Sequence, residues 1–208
     1  GYLVMFAYNH SITNINKEYL IILSDFVAIA ANNKTLPDNN IHSQIEDFLT
    51  SILSKRLTDE NAIEQRCAAY HLNTADSYTI CSVKPSFSEI SKDKLSFFKR
   101  QIRQIFRNST PVFYSGHILF VVETDLFFQS REALLRFLTN NDCICTISLP
   151  FDSYTRLLTA YQQTLACTDM HMAFRLKDTI MYYEDWKLTH MFLHFLHCHI
   201  PDHLRSDY

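Results

Sequence analysis

From residue 77 onward, short apolar strands alternate with amphipathic helices, and this alternation limits the folds that the chain can adopt. The pattern predicts strands at Tyr78–Val83, Val112–Tyr114, Ile118–Glu123, Cys143–Ser148 and Thr179–Tyr183. It predicts helices at Asp93–Arg107, Ser130–Asn140, Ser153–Thr168 and Glu184–Cys198, the last one stopped near Pro201. A tight turn at Ser115–Gly116 joins the second strand to the third. The order β-α-β-β-α-β, followed by further pieces, indicates an α+β fold with a ferredoxin-like or palm sheet, antiparallel at its hairpin, and crossover helices over one face.

Helical patterns also precede the sheet. Apolar residues at helical spacing run from Ile41 to Leu53, and Ser43 and Glu46 have the spacing of a capping box. Thr58 is expected to cap a second helix. A helical segment therefore leads into the sheet domain.

The first 40 residues have a different character. Gly1–Tyr8 is predicted to be a strand, and Asn16–Ala31 a helix with apolar residues on several faces, which another surface must bury. Residues 31–40, rich in Asn, are the predicted linker. We therefore expect an N-terminal segment at 1–38, a domain at 39–208, and self-association through the helix Asn16–Ala31.

Composition excludes several classes of function. The net charge is −3, and the densest basic group lies on the predicted helix Asp93–Arg107, so a nucleic-acid-binding surface is not indicated. The chain has two glycines, Gly1 and Gly116, which argues against glycine-rich phosphate loops. The most apolar run, Tyr19–Ala31, is too short to span a bilayer. Six cysteines without a CxxC pair favour reduced thiols in a cytoplasmic protein.

Several segments resemble one family of bacterial regulators. The hairpin Phe113-Tyr114-Ser115-Gly116-His117-Ile118-Leu119 lies where diguanylate cyclases carry R-Y-G-G-D-E-F. The segment from Ile147 to Phe151, with the helix Leu157–Leu165 after it, resembles the central domain of PucR/CdaR transcription regulators, as do Ile180–Asp185 and upstream pieces at 45–53 and 66–72. Residues 1–31 resemble the end of a sensor domain of GAF or PAS type. The chain is thus similar to a PucR/CdaR regulator with a degenerate GGDEF-like middle domain.

The resemblance implies a three-part regulator made of a sensor, a cyclase-like middle domain and a C-terminal helix-turn-helix. This chain would then be a non-catalytic signal-relay and oligomerisation region without a cofactor. It would form a homodimer or a higher homo-oligomer. A small-molecule effector would act through the upstream sensor, and DNA would be bound by a C-terminal domain that is not in this chain.

The hairpin decides between the relay and an enzyme-like alternative. Cyclases hold divalent metal beside the nucleotide phosphates with carboxylates. The degenerate hairpin here, which consists of Tyr114, Ser115, Gly116, His117, Ile118 and Leu119, contains no carboxylate, and neither does the strand Tyr78–Lys84. We therefore expect no enzyme activity. The alternative is a nucleotide- or metal-binding domain with a modified cyclase-like site.

Histidines in the last helix form a second candidate site. His190, His194 and His197 share one stripe at i, i+4 and i+7, and imidazole binds zinc, copper or nickel. A polar, solvent-facing stripe explains the same spacing. Apolar residues of this helix are expected to be buried, namely Met191, Phe192, Phe195 and Leu196, and Trp186 is expected to anchor the helix to the core.

Three smaller features leave alternatives open. Cys143 and Cys145 face one side of a strand, near Cys81, where burial is favoured over a redox pair. Tyr161, Gln162 and Gln163 either contact a ligand or only form a helix face. Asp152–Ser153 is expected to cap the helix that follows.

Overall fold

The protein is described by a computed structural model at residues 41–72, 75–86 and 90–199, with side chains as far as Phe195. The expectations for the strand Gly1–Tyr8, the helix Asn16–Ala31, the linker and the domain boundary after residue 38 lie outside the described residues. The same holds for Pro201.

The described residues form six α-helices and five strands. The helices are α1 (41–53), α2 (Glu60–Ala69), α3 (Lys92–Ile105), α4 (Thr124–Asn140), α5 (Leu157–Ala173) and α6 (Tyr183–His199). The strands are β1 (Tyr78–Pro85), β2 (Val112–Tyr114), β3 (His117–Glu123), β4 (Cys143–Ile147) and β5 (Ile180–Tyr182). A short 3₁₀ turn, Tyr154–Arg156, leads into α5. The predicted α+β class, with helices before the sheet, is confirmed. Within this part of the chain, no helix is both long enough and apolar enough to cross a membrane.

The five strands make one mixed sheet in the order β2-β3-β1-β4-β5. Neighbouring strands are antiparallel except for β4 and β5, which run parallel. The central strand β1 pairs with β3 through Tyr78 opposite Glu123 and with β4 through Cys81 opposite Ile147. A central strand that is covered on both faces needs a nearly continuous apolar run, which the segment from Tyr78 to Val83 supplies.

Helices cover both faces of the sheet. The two crossover helices α3 and α4 bury Phe98, Ile102, Leu134 and Leu138 against one face, where Cys81 lies. On the other face, residues of α1, α2 and α5 pack against strand residues; this cluster includes Phe48, Ile63, Ala160, Ile80 and Leu119. The prediction that the crossover helices share one face is confirmed.

The helix starts differ in detail from the predicted ones. The Asp59 carboxylate caps α2 by accepting from the Asn61 amide at 2.9 Å, so the prediction of Thr58 as the cap was wrong. A carboxylate at this position also interacts favourably with the helix dipole, which a threonine hydroxyl does less well. Ser43 lies inside α1, so the predicted capping box is absent. Ser153 accepts from the Thr155 amide at 3.2 Å and caps the 3₁₀ turn that leads into α5, as predicted for the start of this helical segment, whereas α5 itself begins after Arg156 without a side-chain cap.

The last helix differs most from expectation. Met191, Phe192 and Phe195 are exposed, so the prediction that they are buried was wrong. Near the start of α6, Trp186 stacks on Phe174 with 5.9 Å between ring centroids and packs against a small apolar cluster, as predicted for an anchor. Leu188 and Leu193 are exposed as well, and the side chain of Leu196, which was also expected to be buried, lies outside the described ones.

Candidate functional site at the hairpin

The hairpin between β2 and β3 turns on two residues with left-handed backbone. Ser115 has φ of 49° and Gly116 has φ of 80°, while Tyr114 pairs with His117 across the turn. Positive φ at both central positions belongs to the type I′ turns that suit the twist of a two-residue hairpin. Glycine adopts this conformation at low cost, whereas serine does so less readily. The turn fixes the direction of His117, the first residue of β3.

His117 points into the protein and not into a cleft. It is 7% exposed, and its Nδ1 lies 2.8 Å from the hydroxyl oxygen of Ser82, which is completely buried in β1. Ser82 stands opposite Leu119, two residues from His117, so the pair is a diagonal cross-strand neighbour on the face that α5 covers. The two polar side chains satisfy each other where water is excluded.

Two charged groups near His117 act on it in opposite directions. Burial lowers the pKa of the His117 imidazole, the ammonium of Lys84 lowers it further, and the carboxylate of Asp169 raises it. The net direction is downward. His117 is therefore neutral at neutral pH, and its ring contributes a donor and an acceptor but no charge.

Tyr161 of α5 closes the other side of the hairpin. Its ring meets that of Tyr114 edge to face at 5.6 Å, and its phenol lies near the Ser115 side chain. Burial raises the pKa of Tyr161, and the Ser115 side chain acts against that rise. Tyr114 in turn donates to the Leu53 carbonyl of α1 at 3.3 Å. Of the two explanations considered for Tyr161, the structure supports the structural one, because this side chain holds the hairpin against α5.

No family model and no curated protein matches this chain. The hairpin cluster consists of Ser82, Lys84, Ser115, His117 and Asp169. The cluster offers a hard divalent ion such as Mg²⁺ a single carboxylate, which is a poor site for one, and the imidazole of His117, which could bind a softer metal, is already hydrogen-bonded to Ser82. Within residues 41–72, 75–86 and 90–199, no group of three or more His, Cys, Asp or Glu side chains is placed to hold a metal.

The pair Ser82–His117 has the donor–acceptor distance of a nucleophile and its base, and sequence inspection missed it. The two residues are 35 positions apart, and only the register of β1 with β3 brings them together. A nucleophile must reach a substrate, however, and Ser82 is 0% exposed. The arrangement therefore supports a structural role for the pair.

The histidine stripe of α6 is partly engaged inside the protein. His190 Nδ1 lies 2.7 Å from the Tyr183 hydroxyl, and the two rings meet edge to face. His194 also has an interaction within the protein. The side chain of His197 lies outside the described ones. The sequence did not reveal the tyrosine, which is seven residues before His190 and therefore on the same side of the helix.

The five described cysteines are buried, free thiols. Burial raises the pKa of Cys81, and a hydrogen bond with Cys145 acts in the same direction. Burial likewise raises the pKa of Cys143 to about 11 and those of Cys67 and Cys167 to about 12. Protonated, inaccessible thiols are unreactive, so these side chains serve as small core residues, as the sequence favoured.

The two glutamines of α5 have separate surroundings. Gln163 accepts from the Leu149 amide at 3.0 Å and so fixes the segment after β4 to α5. Gln162 is exposed. Gln163 therefore belongs to the scaffold rather than to a ligand site.

Proposed function

We propose that this chain is a non-catalytic signal-relay and oligomerisation region of a ligand-responsive bacterial transcription regulator of the PucR/CdaR type. In this proposal its second part is a degenerate GGDEF-like domain. A sensor upstream would provide the signal, and a DNA-binding domain downstream would read promoters. The regulator as a whole would work in the cytoplasm.

The sheet order supports the cyclase-like part of the proposal. The strands β2-β3-β1-β4 have the order of the split β-α-β-β-α-β arrangement, and α3 and α4 are its two crossovers. In addition to this ferredoxin-like unit, the domain carries β5, α5, α6 and the two leading helices. A fold of this kind serves unrelated activities, so the argument for function depends on the hairpin.

The observation that carries the proposal is the pairing of His117 with Ser82 at the hairpin. In the resemblance to cyclases, His117 and Ile118 stand where Asp and Glu would be. The imidazole of His117 is hydrogen-bonded to the Ser82 hydroxyl, and Ile118 is 0% exposed in the core beneath α3 and α4. Phosphate groups with a divalent ion would find no carboxylate pair here, so the fold supports relay better than catalysis.

An assay for the cyclase reaction tests this absence. The chain is incubated with GTP and either Mg²⁺ or Mn²⁺, and cyclic dinucleotide and pyrophosphate are quantified by chromatography. We expect no product above a control without protein. Product that disappears in the variant His117→Leu, while Ser96→Ala retains it, would support the enzyme-like alternative and overturn the proposal.

The exposed surface of α6 supports the oligomerisation part. Leu188, Met191, Phe192 and Phe195 lie at helical spacing along one stripe, and these side chains are between 56% and 73% exposed. Contiguous apolar surface on this scale marks an interaction surface or an aggregation liability. Because the stripe spans two turns symmetrically about Met191 and Phe192, two antiparallel copies of α6 can place Leu188 of one against Phe195 of the other.

A dimerisation reporter tests the oligomerisation part of the proposal. The chain is fused to a phage-repressor DNA-binding domain that lacks its own dimerisation domain, and repression of a reporter gene is measured in bacteria. We expect repression from the fusion, loss of repression with Met191→Lys combined with Phe192→Lys, and retained repression with Leu135→Lys, an exposed apolar position on α4. Equal repression by the α6 variant would exclude α6 as the interface, and absence of repression from the parent fusion would contradict the oligomerisation function.

A further inference from the structure

A groove opens at the end of the sheet opposite the hairpin. It lies where β1 begins, where β4 and β5 end, and where α4 and α6 start, and it encloses about 430 Å³. That volume lies within the range of about 300–1,000 Å³ typical of small-molecule sites. The groove is separate from the Ser82–His117 pair and from the exposed stripe of α6.

Aromatic side chains form one wall of the groove. Phe127 is buried and meets Phe128 edge to face at 5.4 Å and Tyr182 edge to face at 6.2 Å. Phe128 is 59% exposed, so its ring is available to a ligand. The face of an aromatic ring carries negative electrostatic potential, and rings in edge-to-face contact turn their faces in different directions. One ring already receives a cation, because the Arg131 guanidinium lies 5.8 Å from the centroid of Tyr182.

Two carboxylates also line the groove. Glu184 and Asp185 belong to the first turn of α6, and both line the groove. Glu184 forms an exposed ion pair with Lys187, whereas Asp185 has no ion pair among the described side chains. Acidic residues in a first turn also stabilise the helix through its dipole, which accounts for their presence on α6. The dipole does not account for an aromatic groove beside them.

The remaining polar groups of the groove are engaged within the protein. Thr79 donates to the Ser148 carbonyl at 3.1 Å, Ser148 donates to the Leu149 carbonyl at 2.8 Å, and the hydroxyls of Thr124 and Ser77 are 2.9 Å apart. A ligand would therefore be selected by the aromatic wall and the carboxylates rather than by hydroxyl groups. Rings together with carboxylates favour a positive charge on an apolar body.

We propose that this groove binds a small organic cation, an amine with an aromatic or aliphatic body, with its ammonium group towards Asp185 and Glu184 and its body against Phe128 and Tyr182. The site would give the domain a ligand input of its own, in addition to any upstream sensor. Ligand binding at this site is independent of the regulator assignment, because it depends only on the residues that line the groove.

Titration with matched probes tests the site. Phenethylamine is added to the full chain, and binding is followed by calorimetry and by amide chemical-shift changes; 2-phenylethanol, 3-phenylpropionate and phenylalanine are the neutral, anionic and zwitterionic controls. We expect phenethylamine to bind with a dissociation constant on the order of 1 mM, and each control about tenfold more weakly. The shift changes should centre on Thr79, Phe128, Tyr182 and Glu184.

Substitutions distinguish this groove from general charge attraction. Asp185→Asn combined with Glu184→Gln keeps side-chain size and should weaken phenethylamine binding about fivefold or more, and Phe128→Ala should weaken the neutral probe as well. Glu64→Gln, an exposed carboxylate on α2, is the matched control and should leave binding unchanged. The amide spectrum of each variant shows whether the fold is intact.

Several results would overturn the proposal. These are absence of phenethylamine binding, equal binding of 2-phenylethanol or phenylalanine, shift changes confined to other parts of the protein, or a Glu64→Gln effect as large as that of the double amide variant. None of these results bears on the cyclase assay or on the dimerisation reporter.

Discussion

Removal of the Ser82 hydroxyl should destabilise the fold by more than its size suggests. In Ser82→Ala, the Nδ1 of His117 loses its partner at 2.8 Å in a place from which water is excluded. A buried polar group left without a partner costs about 1–3 kcal/mol. Because Ser82 is completely buried, the space left by one oxygen atom is too small for a water molecule to replace it. We expect a loss of about 2 kcal/mol in the free energy of unfolding.

A double-mutant cycle separates this loss from simple repacking. His117→Leu removes the imidazole but keeps a side chain of similar bulk, and the combined variant has apolar groups at both positions. Replacing both partners costs less than the sum of the single losses, so we expect a coupling free energy of about 1–2 kcal/mol. Urea unfolding followed by far-ultraviolet circular dichroism gives the four free energies. Ser96→Ala, an exposed position on α3, should change stability by less than about 0.5 kcal/mol.

Additive effects of Ser82→Ala and His117→Leu on the free energy of unfolding would refute the dependence of His117 on Ser82. A coupling free energy below about 0.3 kcal/mol would mean that His117 does not depend on Ser82 for its hydrogen bond. A loss below about 0.5 kcal/mol in Ser82→Ala would mean that the imidazole finds another partner in the folded state.

Three further outcomes follow from the same region and from the core. The pKa of His117 is lower in the folded chain than its usual value of about 6.5, so the unfolded chain takes up a proton first on acidification. The free energy of unfolding should therefore fall as the pH decreases from about 6.5 towards the folded pKa. His117→Gln should reduce that slope, as measured by urea unfolding at several pH values. Gly116→Ala should lower the free energy of unfolding by about 1–2 kcal/mol because Gly116 has a φ of 80°. Crowding is not the cause, since the new methyl group would meet no atom within 4 Å. Gly116→Asn should lower the free energy of unfolding less, and a larger loss from Asn than from Ala would contradict this. Cys81 and Cys145 should resist alkylation by iodoacetamide at pH 8 in the native state and react only after unfolding, as read by mass spectrometry of peptides.

Local patterns were enough to predict the strands and the turn. The alternation and apolar runs of β1, β3 and β4, with Gly116 between β2 and β3, are features of neighbouring residues, and each element lies within a few residues of its predicted range. The start of α4 was predicted too late because the apolar residues Leu126–Phe128 follow β3 closely without a turn signal, and the helix begins at Thr124 instead of at Ser130.

Pairings across the sheet could not be predicted in the same way. Ser82 and His117 are diagonal neighbours, and their contact depends on the register of β1 with β3. A one-residue slip in register would move each side chain to the opposite face. Hydrophobic pattern alone also cannot tell whether Met191 and Phe192 are covered by this chain or by another molecule, which is why their burial was expected wrongly.

The two edge strands of the sheet restrict how copies of the protein can associate. Both edge strands, β2 and β5, have only three residues. A free edge invites another strand to add to it, but three residues offer few backbone donors and acceptors for such an addition. For the described residues we therefore expect contacts between copies to form through helix side chains, which depend on specific shape, rather than through the backbone of a growing sheet. Crowded or partly heated samples should accordingly give discrete or amorphous assemblies that do not bind amyloid dyes.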